Sequence, residues 1–150
     1  MDGSQASLAV RSFRPGDEQR WDEFVRAHPR GTFFHLAGWR RVIKRAFRHP
    51  THYLIAERGD MITGVLPLTH VNSLLFGSSL ISNAFAVRGG PIATDDESLR
   101  ALEGEAVRLM EVLRVPVLEL RDFSASRGDW PKPAPARVMV VSVVRAVPAL

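Results

Sequence analysis

The densest chemistry in this 150-residue chain is a run of cations, Arg40, Arg41, Lys44, Arg45 and Arg48, with no acid among them. On a helix, residues 40, 44 and 48 fall in one row and 41, 45 and 48 in another. Like charges at those spacings cost a few tenths of a kcal/mol per pair. Such a run reads either as a solvated face or as a surface for an anionic partner: a phosphate, a nucleotide diphosphate or RNA. A second candidate is Arg88-Gly89-Gly90-Pro91. Its glycines could bring backbone N–H groups close to an anion, although Pro91 has none to give, and a plain turn is the alternative. Glu119, Arg121 and Asp122 close a strand, where α/β sheets often carry functional groups. Alternation puts Glu119 and Arg121 on one face, so they could equally pair with each other.

The five histidines are His28, His35, His49, His52 and His70. None has metal-ligand spacing, and no metal is expected. His35, beside Phe34, reads as structural or as the start of a helix. Trp39 lies on an apolar stripe and reads as core or as a stacking platform. No Gly-x-Ser-x-Gly, nucleophile–base pair or Walker-type loop occurs, so no catalytic residue is assigned.

These groups must be held by a small set of elements. Residues 8–14 read as a strand, ended by Pro15-Gly16. Asp17 is the expected N-cap of a helix over 18–28, with Trp21, Phe24 and Val25 on one face. Pro29-Arg30-Gly31 breaks the chain. A second helix over 36–48 would bury Leu36, Trp39, Val42, Ile43, Ala46 and Phe47 opposite the cations. Residues 52–57 and 61–71 read as strands around a Gly59-Asp60 turn, with Pro67 awkward inside the second. A further strand is expected near 79–82. Thr94 to Glu97 has the capping-box pattern, with Thr94 as N-cap. The helix that follows would bury Leu99, Leu102, Ala106, Leu109, Met110 and Leu113, and 117–121 is the last confident strand. The order β-α-α-β-β-β-α-β implies a mixed α/β (α+β) sheet with flanking helices.

Composition sets the limits. The chain is 45% hydrophobic and 24% charged, with net charge +4, which suits one globular domain with a real core. No cysteine is present, so disulfides, cysteine-ligated zinc and thiol catalysis are excluded. No apolar run is long enough to span a membrane. The N-terminus lacks the basic and apolar regions of a secretory signal, and a cytoplasmic location is expected. Arginine supplies 18 of the 20 basic residues, a bias that base composition alone can produce. The domain is expected over 8–123. Residues 124–150, with Pro131-Lys-Pro-Ala-Pro135 and a valine-rich end free of acids, read as a linker and an atypical tail.

The run His28-Pro-Arg-Gly-Thr-Phe-Phe-His-Leu-Ala-Gly-Trp-Arg-Arg-Val42 resembles the FemAB family. So do Thr51-His-Tyr-Leu-Ile-Ala-Glu57, Gly64-Val-Leu-Pro-Leu68, Leu74-Leu-Phe-Gly77 and Gly89-Gly-Pro91. The likeness covers residues 10–123 and is greatest to the bacterial subgroup associated with exosortase and PEP-CTERM sorting. It implies a GNAT-like (acyl-CoA N-acyltransferase) fold, the first of two such domains. It also implies aminoacyl or acyl transfer in cell-envelope biosynthesis, on peptidoglycan or exopolysaccharide-linked precursors. The partners it implies are a nucleotide-linked or other anionic precursor and aminoacyl-tRNA, not DNA. The substrate-binding residues it points to are Lys44 with Arg40, Arg41 and Arg45, Trp39, and Arg88, Gly89 and Gly90. The Gln/Arg-x-x-Gly-x-Gly/Ala loop of acetyl-CoA enzymes is absent, so no cofactor is expected. The second domain is also absent, and the tail departs from the family. The chain is therefore expected to be truncated and inactive alone. A non-enzymatic RNA- or anion-binding module is the alternative reading.

Overall fold

A computed structural model describes residues 6–75, 77–86 and 89–121, and the backbone of 137–140. β1 (Leu8–Ser12), β2 (Leu54–Arg58) and β3 (Met61–Leu66) form an antiparallel meander, with Leu8 opposite Arg58 and Leu54 opposite Leu66. Gly59 (φ +57°) makes the tight β2–β3 turn, a backbone position that side chains with a Cβ disfavour. Pro67 ends β3. The single strand expected over 61–71 is two strands: β3, and β4 (Leu68–Ser73), which belongs to a second sheet. Proline has no N–H for a ladder, and the chain changes sheets there.

In the second sheet β4 pairs antiparallel with β5 (Gly77–Ser82), and β5 pairs parallel with β7 (Val117–Leu120). β8 (Arg137–Val140) lies parallel to β7. A two-residue strand, β6 (Ile92–Ala93), which the sequence pattern does not disclose, returns the chain to β3. Between β5 and β6 the chain detours through residues 83–91.

Among the described residues, three α-helices cover the sheets. α3 (Asp96–Val112) buries Leu99, Leu102, Ala106 and Met110, with Leu109 and Leu113 packed partly buried beside them. These meet Leu54, Leu66, Leu68, Leu80, Leu118 and Leu120. Each fully buried leucine contributes about 1.5–3 kcal/mol. The N-cap of α3 is Asp95, not Thr94. Asp95 has extended backbone and its carboxylate accepts from Ser98 N at 2.8 Å. Thr94 does not serve: its N–H and its hydroxyl both donate to Thr63 O (2.8 and 3.2 Å), which ties it to β3 one residue ahead of the cap.

α1 (Glu18–Ala27) covers the opposite face. Trp21 stacks on Tyr53 (5.1 Å), meets Phe13 edge-on, and donates Nε1–H to His35 O at 2.6 Å. Asp17 stands at the N-cap but makes no side-chain cap bond. Its carboxylate accepts instead from Arg14 N and from the Arg11 guanidinium, which also grips Glu57. α2 (Ala37–Val42) is shorter than the 36–48 expected, and its Ala37 N–H is capped by Asp22 of α1 at 2.8 Å. Ile43–Phe47 continue as one π-helical turn.

Candidate functional site

The π turn changes what the cationic run does. A wider turn shifts the register set by the 3.6-residue period. The apolar stripe expected on this helix survives at Ile43, but Val42 and Phe47 are about two-fifths exposed, at 40% and 41%. Arg40 leaves the basic face altogether. Its guanidinium lies over the Phe13 ring (5.1 Å) and its Nε donates to Thr51 Oγ1 at 3.1 Å, which makes it a packing residue. Arg41, Lys44, Arg45 and Arg48 are exposed and have no ion-pair partner among the described residues. Trp39 is half-buried and edge-on to Phe34 and Phe33, so its ring is packed and not presented as a platform.

An aromatic stack joins this segment to the 83–91 detour. Phe47 and Phe85 are parallel at 4.0 Å, and His49 lies nearly parallel to Phe85 at 5.8 Å. Arg48, Asn83 and Phe85 all have left-handed backbone (φ 54°, 47° and 66°), a conformation uncommon outside glycine. Such strain persists where surrounding structure over-determines it, and it gathers at functional sites. Asn83 is buried, and its amide N and O have no hydrogen-bond partner among the described residues. Gly89 packs directly on it. A Cβ at residue 89 would lie 1.9 Å from Asn83 Cβ, so only glycine fits. Arg88 lies outside the described residues, as does the tail beyond Arg121 apart from β8.

Beside the detour is a cleft of about 240 Å³ lined by Pro29–Thr32, His35, Gly89–Ile92 and Arg121. Two devices shape it. First, His35 ties one wall to the other. Thr32 N donates to His35 Nδ1 (3.2 Å), so the ring proton sits on Nε2, which donates to Gly90 O at 3.0 Å. The Thr32 hydroxyl also reaches Nδ1 at 2.8 Å. That contact has the distance of a nucleophile–base pair, but the same Nδ1 lone pair holds the backbone, and the ring is buried. Burial, with His28 and Arg30 nearby, pushes the His35 pKa down and keeps the ring neutral at pH 7. The pattern is a structural tie, as the sequence reading held.

Second, Arg121 is locked at the floor. Its Nε donates to Glu119 Oε1 (2.7 Å), its Nη1 to Ala86 O (2.7 Å), and its backbone N accepts placement by donating to Ser82 Oγ (2.8 Å). Leu118 and Leu120 face α3, so alternation turns Glu119 and Arg121 to the other face. The Glu119–Arg121 pairing, one of the alternatives open from sequence, is present, and Arg121 also lines the cleft. Gly89 and Gly90 line that cleft, whereas Arg41, Lys44 and Arg45 are not among the residues that line it. Sequence reasoning missed Arg30, whose Nη2 reaches Pro91 O at 3.4 Å. Its only signal was its place between Pro29 and Gly31.

No protein-family model matches the sequence, and no curated protein matches it. Solved structures do. A GNAT family acetyltransferase from Brucella melitensis, in complex with acetyl-CoA, superposes with TM-score 0.52 at 15% identity, over 75% of this chain and 74% of that one. A GNAT family acetyltransferase from Staphylococcus aureus superposes with TM-score 0.56 at 10% identity, over 90% and 99%. The chain thus has a GNAT-like fold, the mixed α+β sheet that its element order implied and the fold that the family resemblance implied. Among the described residues, no helix is long and apolar enough to cross a membrane.

Proposed function

We propose that this chain is the N-terminal domain of a FemAB-like aminoacyl or acyl transferase of cell-envelope biosynthesis, with its acceptor entering the cleft at Gly89–Gly90. The fold supports an acyl-transfer scaffold, and the sequence resemblance supplies the subgroup. The observation that carries the reading is the group of exposed cations Arg41, Lys44 and Arg45 beside the Phe47–Phe85 stack, where Phe85 lies two residues from Asn83, on which the cleft residue Gly89 packs. Guanidinium and ammonium groups there would hold the diphosphate of a nucleotide-linked precursor. In the reaction a substrate amine attacks an activated ester. A C–N bond forms, the ester C–O bond breaks, and the amine proton leaves with the alcohol or to water. The chain contributes position and charge, with no covalent intermediate on the protein.

Acetyl-CoA, bound by the Brucella relative, does not suit this chain's helix N-termini. A diphosphate favours a free helix N-terminus. Here α3 begins with Asp95, Asp96 and Glu97, and Asp95 already caps it. Ser98 N, a donor that a phosphate would use, is already taken by the Asp95 carboxylate.

Calorimetry with a nucleotide-diphosphate-linked precursor tests the reading. Replacing Arg41, Lys44 and Arg45 together with Ala should weaken binding at least tenfold, and unchanged affinity overturns it. Arg40 is left intact, because it packs on Phe13. A second reading, an RNA-binding module, is favoured by the half-exposed Phe47–Phe85 rings beside four cations, since bases stack on aromatics. It predicts tRNA binding that falls steeply with salt. Salt-independent binding or none rejects it.

A further inference from the structure

We propose that the tip of the β4–β5 hairpin, at Leu74 and Leu75, is a peripheral membrane anchor that enters the surface of an anionic lipid bilayer. The inference goes beyond the proposed function and does not rest on it, because it uses neither the cleft nor the cationic segment.

The tip departs from what a turn in water requires. Ser73 pairs with Gly77, so the two strands are joined by residues 74–76, which read Leu-Leu-Phe in the sequence. Hairpin loops favour Gly, Asn, Asp and Ser, whose side chains satisfy the turning backbone. Leu74 and Leu75 are instead exposed at 107% and 87%, more than any other large apolar side chain among the described residues. Neither belongs to a core cluster, so the fold does not account for them. Exposed consecutive apolar residues that break the local rule without stabilising the fold point to function.

Three features select a lipid surface as the occupant. The first is shape: the leucines stand at the end of a hairpin, where a protein partner would need a matching groove and a bilayer needs none. The second is charge. Residues 71–87 contain no Asp, Glu, Lys, Arg or His. The tip can therefore leave water without desolvating an ion, the step that makes immersion costly. Neutral Asn72 and Ser78 pair across the strands behind it and suit the headgroup level. The third is the backbone. Leu75 N donates to Ser73 Oγ at 3.3 Å, so this N–H carries its own partner into a region poor in water. The net charge of +4 draws the whole chain toward an anionic surface. Three loop residues reach the interface and do not span it.

The test is co-sedimentation of the full chain with vesicles of equal parts phosphatidylcholine and phosphatidylglycerol, and with vesicles of phosphatidylcholine alone. The chain should bind the mixed vesicles more tightly. Leu74→Ser with Leu75→Ser should weaken that binding about tenfold or more, because two leucines no longer leave water. Both side chains are exposed, so the melting temperature of this variant should match wild type, and a folding defect cannot imitate the result. Leu74→Phe with Leu75→Trp keeps the tip apolar and should keep the binding. Undiminished binding by the serine variant overturns the proposal and leaves the cationic segment as the lipid contact. Equal affinity for phosphatidylcholine alone also overturns it, as does no binding to either vesicle. Self-association of wild type that the serine variant abolishes, without vesicle binding, would instead make a second copy the occupant. Failure here is separable from failure of the proposed function, which is read from precursor affinity in the Arg41, Lys44 and Arg45 variant.

Discussion

Replacing His35 with glutamine should cost stability and flatten the acid limb of the stability curve. His35 Nδ1 accepts from Thr32 N, and Nε2–H donates to the buried Gly90 carbonyl. Leaving such a group without its partner costs about 1–3 kcal/mol. At about 2–4 °C per kcal/mol for a chain this size, the melting temperature should fall by roughly 2–12 °C. The pH dependence follows from the same geometry. Protonating Nδ1 would set an N–H against the Thr32 N–H, and burial already lowers the pKa. The folded pKa lies below the unfolded value near ~6.5, so the unfolded chain takes up a proton first. Stability from this group is complete above about pH 6.5 and declines as pH falls toward the folded pKa, by at most ~1.4 kcal/mol per pH unit. His52, lowered by burial and by His70, adds in the same direction. Asp17 and Asp95 also have lowered pKa values, and their effect begins only below about pH 4. Urea unfolding at pH 7.5 and 5.5 isolates the term. Wild type should lose more between these pH values than His35→Gln. Parallel losses would refute the neutral, doubly bonded ring.

Leu102→Ala removes a fully buried side chain under the sheet and should cost about 2–5 kcal/mol in the same urea experiment. Gly31→Ala would put a Cβ 1.9 Å from the Val25 carbonyl oxygen, so the cleft wall must shift; an expected loss of more than ~1 kcal/mol is read from the melting temperature. Asp95→Ala removes the cap on Ser98 N and the partner of Arg58, and should cost about 0.5–2 kcal/mol at pH 7. Because the Asp95 pKa is lowered, that difference should shrink as pH falls below about 4.

The fold was legible because most of its elements are strongly periodic. The α3 stripe, the Gly59-Asp60 turn and the β7 alternation are local signals, and each is found in place. What sequence missed depends on long-range pairing. Pro67 announced an irregularity, but only the sheet assignment shows that it divides one strand between two sheets. Thr94 and Asp95 are both good caps in isolation, and pairing with Thr63 decides between them. Arg40 shares the spacing of the cations, and only its packing on Phe13 and its bond to Thr51, both distant in sequence, take it out of their group. At the site, Gly89, Gly90 and the Glu119–Arg121 pair were visible as residues. The convergence of Gly89, Gly90 and Arg121 with Arg30 and His35 is long-range, with His35 bonded to Gly90 and Arg30 to Pro91, and has no local signature.

In the proposed function a phosphate-bearing precursor lies along the cationic segment and reaches the cleft. The most direct measurement is an amide-shift map of the full chain titrated with a nucleotide-diphosphate-linked peptide precursor, repeated with acetyl-CoA. Saturable shifts should run from Arg41–Arg45 through Phe85 to Gly90, with no comparable response at Asp95–Ser98 from acetyl-CoA. Shifts centred on the α3 N-terminus with acetyl-CoA, and none along residues 41–45 with the precursor, would contradict it.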